Sequence, residues 1–214
     1  MNLYLIVTLL SLLFFSFTSQ VFLIWPWHGR VLSFDLLRLL VPFNFFIGMF
    51  LWNFYLAAKT DPGWVLEDWH KGFVTDGQEK DLKGRLRYCY ICNKYKPPRT
   101  HHCSICQRCV LCMDHHCSWL GQCVGYFNHG YQIRTLIYAN LTCIYHISMI
   151  TAHIYVKPVI LKRGVIMIGL NYANVIPFFA CVVYFSYTQL SPLLRNRTII
   201  ENWLEGNLDK ELKV

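Results

Sequence analysis

Of the chain's 214 residues, 55% are AVILMFWYC and only 15% are Asp, Glu, Lys or Arg, too few charges to cover a water-facing surface, where about a quarter is usual. This excludes an ordinary soluble domain and indicates a membrane protein, while the formal charge of +8 suits nucleic acid, a membrane surface or an anionic substrate. Eight of the ten cysteines fall between Cys89 and Cys123, with four of the nine histidines, which is too clustered for a secreted disulfide scaffold and reads as a metal-bound insert.

In chain order, Leu3 to Trp25 carries no formal charge and exceeds the roughly 20 apolar residues that cross a bilayer. With no basic stretch before it and no small-residue cleavage site after it, it is predicted as an uncleaved span, followed by interfacial aromatics and a turn at Trp25, Pro26 and Trp27. Asp35 to Ala58 is a second span, with Arg38 close enough to its start to snorkel. A polar stretch, Lys59 to Arg134, then holds eleven Lys/Arg and seven Asp/Glu.

Thr135 to Tyr155 and Val165 to Tyr187 are predicted as third and fourth spans. Asn140, His146 and His153 interrupt the third and should face the bundle interior, since lipid cannot satisfy them. The expected fold is an all-α membrane protein of four transmembrane helices with a cytosolic, two-zinc cysteine-rich domain of short hairpins and loops. Its divisions are 1–58, 59–134, 135–187 and a short tail, 188–214. An even number of crossings puts the polar stretch and the tail on one side, with 15 Lys/Arg against Arg30, Lys157, Lys162 and Arg163 opposite. By the positive-inside rule that side is the cytosol, where thiols stay reduced.

Tetrahedral zinc takes four N or S ligands, and between Cys89 and Cys123 there are twelve candidates. Cys89, Cys92, His102 and Cys109 read C-x2-C-x9-H-x6-C, and fourteen residues later Cys103, Cys106, His116 and Cys123 read the same. The two copies interleave and imply two structural zinc ions that fold a segment with little core of its own. Left over are His101, Cys112, His115 and Cys117. The same offset carries Cys103 onto Cys117, but the knuckle partner there would be Leu120. Cys117 is then either a spare thiol or exchanging ligand, or, with His115 and Asp114 just before it, an activated nucleophile. Cys112 reads as an ordinary packed thiol, and Cys143 and Cys181 as packing residues of their spans. Thr198-x-x-Glu201 reads as a helix capping box, followed by apolar positions Ile200, Trp203, Leu204, Leu208 and Leu212 on one face of an interfacial helix. A C2H2-type recognition helix is missing, so nucleic acid is not expected as a partner.

The run Cys89, Cys92, His102-Cys103, Cys106, Cys109, Asp114-His115-His116-Cys117, Cys123 and Asn128 resembles the cysteine-rich domain of the DHHC-type protein S-acyltransferases. Asp61-Pro62-Gly63 after the second span and Thr198-Ile199-Ile200-Glu201 after the fourth extend the resemblance. It implies a protein S-palmitoyltransferase in an endoplasmic reticulum or Golgi membrane, using long-chain acyl-CoA such as palmitoyl-CoA, zinc and membrane-associated substrate proteins with cytosolic cysteines, and it leaves room for an accessory protein. Cys117 would be the nucleophile, His115 its base, Asp114 the residue that orients His115, and His116 a zinc ligand. Cations available for the CoA phosphates are Lys94, Lys96, Arg99, Arg108, Arg134, Arg195 and Arg197, which also fit an ordinary positive-inside bias. Ser118, Gly121-Gln122 and Ile199 depart from the family pattern, and the tail is short. A catalytically weak or inactive membrane-anchored zinc adaptor is therefore the alternative, while the spacing lacks the final C-x2-C of a RING-type ligase.

Overall fold

The apolar segments form long helices. In the computed structural model, which describes residues 3–66, 86–156 and 162–211, α1 (Leu3–Thr18) continues through a π-helical stretch, Ser19–Ile24, into the short α2 (Trp25–Trp27). The loosening begins where Thr18 and Ser19 hydroxyls bond back to the carbonyls of Phe14 and Ser16, an alternative partner that bends helices. Pro26 sits inside α2, so the expected turn comes just after it, at Gly29 and Arg30, both at positive φ. The helix α3 (Phe34–Lys59) starts at Ser33, whose hydroxyl accepts from the Leu36 N–H as an N-cap does. Then come α4 (His129–Val156), α5 (Lys162–Leu193) and α6 (Ile199–Glu211).

Ile6–Trp27, Phe34–Lys59 and Gly164–Leu193 are long and apolar enough to cross a membrane. α4 has the length, 28 residues, but Arg134, Asn140, His146 and His153 dilute its apolarity. Residues 67–85 and 157–161, with part of the polar stretch and Lys157, lie outside the described residues, as do Leu212 and Lys213.

The chain divides into two compact units. The first, Met1–Asn53 with Arg134–Tyr187, packs α4 through its polar groups as well as its apolar ones. Asn140 donates to the Ser186 hydroxyl at 2.7 Å, Thr151 and Tyr172 hydroxyls meet at 2.7 Å, and His153 Nε2 lies 3.2 Å from His28 Nε2. His146 is fully buried against the rings of Phe15 and Phe43. The interruptions thus point inward, as expected of polar groups with no water to satisfy them. Cys143 is buried, but Cys181 is exposed on α5, which corrects its reading as a packing residue: that position faces out of the bundle.

The second unit, Phe54–Ile133 with Thr188–Val214, is built on three antiparallel hairpins: β1 (Tyr88–Cys89) with β2 (Lys94–Tyr95), β3 (His101–Cys103) with β4 (Arg108–Val110), and β5 (His115–Cys117) with β6 (Gln122–Val124). Their turns carry positive φ at Asn93, Gln107 and Gly121, fourteen residues apart like the cysteines. The sequence repeat is therefore a repeat of backbone, with three copies among the described residues. Asp61 caps a tight turn by accepting from the N–H groups of Gly63 and Trp64. Residues 63–65 then run along β4, with Leu111 N–H to Gly63 O at 2.8 Å and Val65 N–H to Cys109 O at 3.0 Å. Gly125 makes this approach feasible, since a Cβ there would lie 2.5 Å from Pro62 O and 2.6 Å from Val110 Cγ1.

Candidate active site and metal centres

Each ligand set joins the knuckle of one hairpin to a cross-strand pair of the next. Cys89 and Cys92 of the first hairpin meet His102 and Cys109, which are register partners in the second. Cys103 and Cys106 of the second meet His116 and Cys123, register partners in the third. In the first set the Sγ to His102 Nδ1 distances are 3.2, 3.6 and 3.8 Å, and Cys92 to Cys109 is 3.7 Å. In the second, the sulfurs lie 3.4, 3.5 and 3.7 Å from His116 Nδ1, and Cys106 to Cys123 is 3.7 Å. A tetrahedral zinc with ordinary bond lengths has S···S edges of about 3.8 Å and S···N edges of about 3.5 Å. Both sets fit such an ion and are able to bind zinc. Burial and the neighbouring thiols push Cys109 and Cys123 upward, and a bound cation would favour their thiolates.

Among the described residues no hairpin follows the third to complete a set, and Cys117 at its knuckle stands outside both. Its side chain is buried against Ala57, Leu120 and Val124, with Phe54, Ala58, Trp119 and Tyr131 around them. His115, two residues before it on the same strand, places Nδ1 2.8 Å from Asp114 Oδ2. Burial alone would lower the His115 imidazole, but hydrogen bonds and charge from Asp114 and Cys117 outweigh it and push it up to about 9. Carboxylate, imidazole and thiol in this order can move a proton from sulfur to nitrogen and leave a nucleophile. His101 pairs with Val110 across β3 and β4, outside both ligand sets, and Cys112 is half-buried at positive φ.

Asp114 is held from a distant part of the chain. Its Oδ1 accepts the Ile199 N–H at 2.8 Å, at the first turn of α6. Thr198 and Glu201 form the expected reciprocal cap, with Thr198 N–H to Glu201 Oε2 at 2.8 Å and Glu201 N–H to Thr198 Oγ1 at 3.2 Å. Arg99 clamps Glu201 through Nε and Nη2, at 2.6 and 2.7 Å. Its hydrogen bonds and charge, with the Thr198 N–H, hold the Glu201 carboxyl below its usual range against the opposing effect of burial. Arg99 therefore has a carboxylate partner of its own.

Among the other cations, Lys94 donates to Leu66 O, Arg108 lies over the Trp64 ring, Arg134 donates to Asn53, and Arg197 pairs with Glu205. Sequence reading did not find Gln189, whose amide nitrogen lies 3.5 Å from His115 Nδ1; a lone amide near the end of an apolar helix carries no signal. Gln122, marked in the sequence only as a departure, donates to Ala57 O at 2.7 Å and to Thr60 O at 3.1 Å. Asn128 joins it there, donating to Ala57 O and to Cys123 O.

The family model described as DHHC palmitoyltransferase matches residues 82–206. Palmitoyltransferase PFA4 of Mycosarcoma maydis is 38% identical over 92% of this chain and 47% of its own length. Palmitoyltransferase ZDHHC6 of Homo sapiens is 32% identical over 85% of this chain and 48% of its own. A probable protein S-acyltransferase 13 of Arabidopsis thaliana is 33% identical over 34% of this chain and 28% of its own. The chain spans about half the length of the PFA4 and ZDHHC6 proteins.

Proposed function

Because the chain belongs to the DHHC palmitoyltransferase family, we propose that it is a protein S-palmitoyltransferase carrying its acyl group on Cys117. The observation that carries this reading is the Asp114–His115 pair at the start of the strand that ends in Cys117, on the hairpin whose knuckle cysteine belongs to neither metal set. His115 takes the Cys117 proton, and the thiolate attacks the thioester carbonyl of a long-chain acyl-CoA. The sulfur–carbon bond to CoA breaks, and CoA leaves with a proton. His115 then takes the proton of a substrate protein's cysteine, whose thiolate attacks the Cys117 thioester and takes the acyl group, and the proton passes to the released Cys117 sulfur. Asp114 holds Nδ1 and so aims Nε2 at the thiol. Bound zinc supplies cross-links between hairpins and no step of the transfer.

The departure at Ile199 is compatible with an active protein rather than the adaptor alternative. At Ile199 the contact to Asp114 comes from the backbone, which the change of side chain leaves in place. We further propose the division 1–58, 59–134, 135–187 and 188–214, with α4 as a fourth span, because its polar groups have partners inside its own unit. With four crossings the zinc domain and tail are cytosolic by the positive-inside rule, and the family resemblance carries an endoplasmic reticulum or Golgi location. Partners would be acyl-CoA, the bilayer and membrane-associated proteins with cytosolic cysteines. Lipid offers an acyl chain almost the same environment as a bundle, so the gain from binding it is positioning. Transfer of palmitate from palmitoyl-CoA to a cysteine-bearing substrate peptide tests this reading. Hydroxylamine-sensitive transfer is expected from the parent, and none from His115→Ala.

A further inference from the structure

The three hairpins share one backbone but not one means of attachment. Opposite the first knuckle cysteine stand Lys94 across from Cys89, Arg108 across from Cys103, and Gln122 across from Cys117. The first two knuckles are each closed by a four-ligand metal set that also grips the next hairpin. The third has Leu120 in place of the second thiol, so no metal closes it. Its knuckle cysteine is left free for chemistry, and although the second set grips this hairpin through His116 and Cys123, the knuckle end itself has no metal to fix it.

Gln122 fills that role. Both hydrogens of its amide are spent on Ala57 O and Thr60 O, at 2.7 and 3.1 Å. These carbonyls lie at the C-terminal end of α3, where the last four have no intrahelical donor. Ala57 is itself in the cluster that buries Cys117. We infer that Gln122 is a positioning residue that fastens the knuckle end of the third hairpin to the end of α3, beside the Asn128 bridge from Cys123 O to Ala57 O, and holds the Cys117 thiol over that helix's last turn. Length matters: asparagine is one methylene shorter, about 1.5 Å, and cannot span to both carbonyls. Glutamate keeps the shape but has no hydrogen to donate and sets its oxygens against theirs. The inference rests on Cys117 being the nucleophile.

The test uses the full chain in detergent and compares the parent with Gln122→Glu, Gln122→Asn and Cys117→Ser. Two rates are read: acyl-enzyme formation at saturating palmitoyl-CoA, and alkylation of Cys117 by iodoacetamide, a small reagent that needs no alignment. Both glutamine variants should keep two zinc ions and the parent alkylation rate and KM. Their acylation rate should fall by roughly tenfold or more, the scale of a misplacement near 1 Å. If Gln122→Glu loses zinc, the milder Gln122→Asn decides by the same criterion. Acylation at the parent rate would overturn the inference, and so would acylation and alkylation falling together. If the parent is not acylated, or Cys117→Ser is acylated equally, the proposed function has failed instead.

Discussion

Ile199 lacks the hydroxyl of its family's pattern, yet Asp114 keeps a donor because the bond comes from the main chain. Threonine at 199 should therefore change acyl-enzyme formation little. Proline is the informative substitution, because the first helical position after the Thr198 cap tolerates it while its missing N–H leaves Asp114 Oδ1 short of a partner. The expected result for Ile199→Pro is a drop in acylation rate on the order of tenfold, from a loss of about 1–3 kcal/mol at a buried acceptor, with zinc content and helicity retained. Arg99 acts one step further out, through Glu201 and the cap. Its contribution has a pH signature: the Glu201 carboxyl is held below its usual range, so the pair stabilises fully above the ordinary carboxylate pKa and loses that contribution as pH falls through the lowered value. Arg99→Met should melt earlier than the parent at neutral pH, and the gap should close in acid. Asp114, His115 and Cys117 were legible as a string of adjacent residues. The roles of Arg99, Ile199 and Gln189 were not, because each meets the site from 15 or more positions away and spacing records nothing about such encounters.

At the scale of elements, the fourteen-residue offset was the most informative part of the sequence. It separated ligands from Cys117 and also marked the three hairpins, since turn residues Asn93, Gln107 and Gly121 obey the same period. A knuckle and its turn are local structures, so local sequence specifies them. Cys92→Ser should lower bound zinc from two towards one per chain, measured by atomic emission, and destabilise the unit; an unchanged count would sink the interleaved assignment. What joins the hairpins to residues 61–65 was less visible, because Asp61-Pro62-Gly63 looks like any turn until its contact with β4 is seen. Gly125 is the sensitive point of that contact. Gly125→Ala must push Pro62 and Val110 aside and should cost about 1–3 kcal/mol, read as a lower melting temperature of the zinc-loaded protein.

Over the whole molecule, low charge and clustered cysteines reduce to two compact units, one of apolar helices with polar groups turned inward and one of metal-linked hairpins. The apolar runs gave the helices their approximate limits, with α4 and α5 extending beyond the predicted spans because amphipathic turns continue a helix past its lipid-like core. Four crossings predict that Asn196 stays unglycosylated and that an acceptor site inserted at Gly29 is modified; sugar at Asn196 would reverse the orientation. The central claim is that Cys117, the knuckle cysteine without a metal, carries the acyl group. Its most direct test is to incubate parent and Cys117→Ser, each holding two zinc ions, with alkyne-tagged palmitoyl-CoA and to locate the label by peptide mass spectrometry. A hydroxylamine-sensitive adduct on Cys117 in the parent and none in the variant is the predicted result; equal labelling of the two proteins would contradict it.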